Sequence, residues 1–111
     1  MQEILFEVQG SAPEPYKVIF VRRSERNLSA YCSCPAGEKR QYCKHRFNIL
    51  AGITEKIVSG NEADAKTVQS WLPGTDIEQA IHRVQELEME AEKINRMLSV
   101  AKKAIAKTMN D

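Results

Sequence analysis

The sequence predicts an α+β chain: a small three-stranded antiparallel β-sheet that runs into a helix, then a short helix and a long C-terminal helix. Three observations predict it. Three runs with strand patterning lie before residue 35, helical periodicity begins at residue 43, and no Gly or Pro follows residue 74. The division this suggests is a sheet with a Cys/His-rich segment over 1–58 and a helical extension over 61–111.

Ile4, Phe6 and Val8 alternate with Glu3, Leu5, Glu7 and Gln9, which reads as a half-buried strand. The stretch from Gly10 to Pro15 is a loop with two prolines. Tyr16 to Arg22 is β-rich and apolar on both faces at its centre, as expected of a central strand. Ser24 to Asn27 is a turn. Leu28, Ala30, Cys32 and Cys34 then alternate with Ser29, Tyr31 and Ser33, placing both thiols on one face of a third strand that Pro35-Ala-Gly37 ends.

Residues 43–58 read as a helix, with Phe47, Leu50, Ala51, Ile53 and Ile57 roughly on one stripe and Ser59-Gly60 as its stop. Asn61 to Asp64 resembles a cap for a short helix that carries Ala65, Val68 and Leu72 on one side and Trp71 near its end, packed on the core. Pro73-Gly74 breaks the chain. Thr75 and Glu78 then fit a capping box that opens a helix from Asp76 to near Met109, about 50 Å long. Ile77, Val84, Ala91, Leu98 and Ile105 fill one heptad position; Ala80, Leu87, Ile94, Ala101 and Thr108 fill the other. Such a seam suits a coiled coil or a helical hairpin, although Ala91 and Ala101 bury little.

The 111 residues hold 16 Lys+Arg and 15 Asp+Glu, a net charge of +1, which excludes a strongly basic or acidic tail. The balance is uneven: residues 1–52 carry eight basic and five acidic residues, and residues 53–111 eight basic and ten acidic. No apolar run approaches the roughly 18 residues of a membrane span. The first residues lack a basic start and an apolar stretch, so an intracellular location is expected, in cytoplasm, nucleoid or nucleus.

The three cysteines lie within twelve residues, as Cys32-x-Cys34, eight residues, then Cys43-x-His45. An odd cysteine count argues against a closed disulfide framework, and clustered Cys and His argue for metal. Zinc takes four N or S donors at tetrahedral corners, and two pairs at matched spacing can supply them. The competing readings are three inert buried thiols, or a redox or catalytic cysteine. A Cys32–Cys34 disulfide would close a very small, strained loop. A Cys43–His45 dyad on a helix would diverge by about 200°.

This spacing resembles the SWIM-type zinc finger, C-x-C followed by C-x-H. The resemblance covers roughly residues 16–57: a hairpin feeding the first pair, a Pro directly after it, and a helix opening at Cys43-Lys-His45. It implies a compact ββα unit with Cys32, Cys34, Cys43 and His45 as ligands of one structural zinc ion. It also implies a module of the kind associated with DNA binding and protein–protein interaction.

Two functions follow from the sequence. Arg22, Arg23, Arg26, Lys39, Arg40, Lys44 and Arg46 surround the cluster against only Glu25 and Glu38, so they could neutralise phosphates, with Tyr31 or Tyr42 stacking on a base. The alternative for these residues is an ordinary solvated surface. The second function is a protein-interaction adaptor or regulator of a larger machine, acting through residues 75–111, with a homodimer as one form of it. No phosphate loop, open metal site or acid/base pair at a meaningful spacing is present, so no catalysis and no small-molecule substrate are expected.

Overall fold

The computed structural model describes residues 1–110. Strand β1 (Gln2–Val8), β2 (Tyr16–Ser24) and β3 (Asn27–Cys32) form one antiparallel sheet in the order β1-β2-β3. The strand that is apolar on both faces at its centre is the central one, with both of its edges paired. Pairing of Ile4 with Phe20, Phe6 with Val18, Phe20 with Ala30 and Val18 with Cys32 brings the three apolar sets onto one face. Phe6 and Phe20 are fully buried there and meet edge to face, with centroids 6.0 Å apart.

Among the described residues four helices follow: α1 (Pro35–Glu38), α2 (Lys44–Leu50), α3 (Asp64–Ser70) and α4 (Asp76–Met109). Two of them differ from expectation. Pro35 to Gly37 is not a plain reversal but opens the single turn α1, with Pro at the helix start where its missing N–H costs nothing. The helix expected over 43–58 stops at Leu50. Gly52 takes φ +86°, a left-handed conformation that ends the helix, and the chain then runs back along the sheet.

That return covers the outer edge of β1. Ile57 bridges Val8, Gln9 N–H donates to Lys56 O (2.8 Å) and Val58 N–H to Glu7 O (2.8 Å). Glu7 N–H donates to Ser59 Oγ (3.0 Å) and Asn61 Nδ2 to Leu5 O (3.0 Å). Ile57 is thus buried as a sheet residue rather than on a helical stripe, and an edge that would otherwise be open to another strand is closed.

Helix α3 buries Ala65 and Val68, and Trp71 at its C-cap is 4% exposed. Gln69 Nε2 donates to Ile49 O (3.1 Å), which ties α3 to the end of α2. Buried Thr75 accepts from Glu78 N–H (3.3 Å), and Glu78 reaches back to Gly74 N–H (3.2 Å), so α4 opens on a reciprocal cap. Backbone contacts divide the chain into two units, Met1–Glu78 and a second from Gln79 onward. No residue of α4 is buried.

Candidate metal centre

Cys32, Cys34, Cys43 and His45 converge where the end of the β2–β3 hairpin meets the start of α2. Cys32 closes β3. Cys34, two residues past the strand, is the N-cap of α1, and Cys43 is the N-cap of α2. Each of these two sulfurs therefore faces the free N–H groups of a helix start, which favour a thiolate. Cys34 Sγ accepts from Gly37 N–H (3.2 Å) and Cys32 Sγ from Cys34 N–H (3.5 Å).

The four donor atoms lie within 4.8 Å of one another. Cys34 and Cys43 sulfurs are 3.4 Å apart, and His45 Nδ1 lies 3.4 Å from Cys43 Sγ and 3.8 Å from Cys32 Sγ. A tetrahedral zinc with bonds of about 2.0–2.3 Å sets its donors roughly 3.5–3.8 Å apart, so the cluster fits this ion. All three cysteines are buried and free of disulfides. The donor set, three sulfurs and one imidazole nitrogen, is a zinc set, and four protein donors leave no corner for water or substrate.

The family model of the SWIM zinc finger matches residues 6–46. This segment of the chain is similar to a SWIM zinc finger. The match starts ten residues before the expected span, because β1 belongs to the sheet that carries the finger. It stops at Arg46, and no curated protein and no solved structure matches the chain. The finger binds one structural zinc ion.

Charge in the finger is arranged for that ion. Burial pushes the Cys32 thiol up, to about 12, and its thiol neighbours push the same way. Burial acts on Cys43 too, but the Arg46 backbone N–H in the first turn of α2 and bonds from Cys34, Cys32 and His45 outweigh it and bring Cys43 down to about 6. Without metal the cluster thus favours one thiolate; a cation is what makes three tolerable.

Two glycines and an aromatic residue support the site and carried no local signal in the sequence. A Cβ on Gly37 would run into the Cys32 carbonyl oxygen and come within 2.8 Å of the Cys32 Cβ, so the α1 turn can approach β3 only at glycine. Gly10 and Tyr16 close over the imidazole: the Tyr16 and His45 rings have centroids 5.1 Å apart, and a Cβ on Gly10 would lie 3.1 Å from His45 Nε2. Gly37→Ala is expected to weaken zinc binding by roughly tenfold to a hundredfold, the range for disturbed outer-shell partners. Competition with a chromogenic chelator measures it, and an unchanged affinity would show that the turn is free to move.

The basic residues divide into groups. Arg22, Arg23 and Arg26 lie at the far end of the hairpin. Lys39 and Arg40 lie in the turn after α1, and Lys44 opens α2. Arg23 donates to exposed Tyr31 Oη (3.1 Å) and to Ser29 Oγ (3.3 Å), and the charge of Arg40 also reaches Tyr31, so its hydroxyl is held below its ordinary pKa, first by the Arg23 bond. Arg46 differs from the others. It is half-buried and donates to Ala30 O (3.1 Å) and Gln41 O (2.6 Å), bracing β3 against the loop that leads to Cys43. Tyr42 is exposed and stacks on Phe47 at 4.6 Å.

Proposed function

We propose that this chain is a zinc-stapled, non-enzymatic module, with Cys32, Cys34, Cys43 and His45 as ligands, that binds nucleic acid through the basic surface around the zinc. One observation carries the reading. Among the described residues the only ion pair joins Arg83 to Glu86 in α4, so none of the finger's cations is neutralised by a carboxylate. Lys39, Arg40 and Lys44 are exposed beside the metal cluster, and Arg23 and Arg40 flank an exposed tyrosine able to stack. Arg22 and Arg26 extend this surface along the hairpin, while Arg46 serves as its brace. Thiolate ligands persist in reducing compartments, which supports an intracellular location. No helix of the described residues is long and apolar enough to cross a membrane.

Fluorescence anisotropy of the zinc-loaded chain on labelled duplex and single-stranded DNA, over a salt series, tests the proposal. Binding should weaken linearly with log salt. Replacing Lys39, Arg40 or Lys44 by Ala should lower the slope by about one each, as for a lost phosphate contact. Arg46→Ala should instead lower stability and leave the slope of the folded protein unchanged. No binding at low salt, with zinc confirmed, would leave the surface as solvation. A second reading, as a protein-interaction adaptor, is favoured by α4, whose apolar seam is exposed along its length.

A further inference from the structure

Helix α4 exposes Val84, Leu87, Ile94, Leu98 and Ile105, along a seam that runs about 38 Å from Ala80 to Ile105. Water-exposed apolar seams of this length are covered in a stable protein, and the question is by what. Two features of α4 answer it.

The first is charge. From Gln79 to Glu92 the helix has four glutamates and one arginine; from Lys93 to Met109 it has four lysines and one arginine, and no acidic residue. The two halves are opposite in sign, and the sign changes between residues 92 and 93. The second is side-chain size. About the same midpoint, an antiparallel partner sets Ala80 opposite Ile105, Val84 opposite Ala101, Ala91 opposite Ile94 and Leu87 opposite Leu98. Three of these four kinds of layer match a large side chain with alanine, and the fourth is leucine on leucine. The axis that sets the acidic half against the basic half is the axis that fills the seam.

We propose that α4 pairs with the α4 of a second copy as an antiparallel coiled coil centred between Glu92 and Lys93. A parallel pair fits less well. It stacks Ala80, Ala91 and Ala101 each on itself and leaves the layers thin, and it sets acidic half on acidic half and basic on basic. What it gains is Arg83 beside the partner's Glu88, an exposed pair of the kind that contributes little. In the antiparallel pair no two like charges meet at the positions flanking the seam: Glu88 lies beside the partner's Asn95, Glu90 beside the partner's Met97, and Ile81 beside the partner's Lys102. This inference is independent of nucleic-acid binding.

Sedimentation equilibrium of the full zinc-loaded chain at about 100 μM tests it, with Leu87→Glu, Leu98→Lys and the double variant. Both changes lie on an exposed helix surface of the single chain, so the fold, read by zinc content and Trp71 emission, stays as a control. The wild type should be a dimer that weakens with salt. Each single change should weaken it by about thirtyfold or more, as for loss of a buried leucine. The double variant should recover much of the loss, because the carboxylate introduced on one chain then faces the ammonium introduced on the other. A monomeric wild type would overturn the proposal, as would single variants that dimerise normally. A double variant weaker than either single one would overturn it in favour of a parallel pair, in which like charges meet at both layers.

Discussion

Complete removal of zinc is expected to unfold residues up to about 78 while α4 keeps part of its helical signal. The physical reason is scale. The apolar core of the first unit is small, and two of its short helices, α1 and α2, begin on sulfur atoms of the cluster. Structural zinc supplies roughly 10–16 kcal/mol at neutral pH, against about 5–15 kcal/mol for the whole stability of an ordinary domain. Without the ion, the donor atoms of Cys32, Cys34, Cys43 and His45 stand within 4.8 Å with only weak hydrogen bonds to hold them. Trp71, 4% exposed, reports the loss through a red shift of its emission and a collapse of near-ultraviolet dichroism. A Trp71 signal that survives zinc removal would sink this expectation.

Acid should loosen the same site, since protons compete with zinc for every ligand. The metal-free finger has its own pH window. Cys43 falls from 9 to about 6 on folding, so its stabilisation is complete above pH 9 and is lost as pH falls through 6. Cys32 rises from 9 to about 12, so folding is favoured below pH 9 and that benefit is lost as pH climbs toward 12. Whatever residual structure remains after chelation should therefore be greatest near pH 9 and decline both toward pH 6 and toward pH 12, as tryptophan emission across a pH series would show. Residual structure greatest near pH 6 or near pH 12 would contradict the assignment.

Trp71→Ala is expected to cost about 3–5 kcal/mol in the zinc-loaded protein, the range for truncating a buried aromatic residue. Trp71 ends α3, whose Val68 is fully buried and whose Gln69 side chain holds the last turn of α2 through Ile49 O. Ile49 in turn lines the cleft beside His45, which links α3 to the cluster through α2. Chemical denaturation at saturating zinc measures the loss as a lowered midpoint with an unchanged slope. An unchanged midpoint would mean that α3 is an appendage rather than part of the finger's core.

Much of this was legible in the sequence, for reasons that are local. Alternation placed Phe6, Val18 and Phe20 on one face because a strand's period is two whatever it pairs with. The capping pair Thr75 and Glu78 marked the start of α4 because both partners sit in the same four residues. The cluster was legible because its ligands come as two close pairs. What escaped was long-range. Ile53 and Ile57 fall on a helical stripe, but Ile57 is claimed by Val8 from the opposite end of the finger, and only the left-handed Gly52 hints at it. Arg46 looks like one more surface cation until Ala30 O and Gln41 O are found in its reach.

The bridge between Val8 and Ile57 also bears on the order of assembly. Cys32 and His45 are 13 residues apart, so zinc closes only short loops, and short loops close at little entropic cost. The β2–β3 hairpin and the first turns of α1 and α2 can therefore form around the metal early. The strip from Lys56 to Asn61 must instead find β1 across nearly the whole length of the finger. That contact is slow to form and has no zinc to hold it, so it is the last to close on folding and the first to open by fluctuation. The outer edge of β1 is thus the place where native hydrogen exchange should begin.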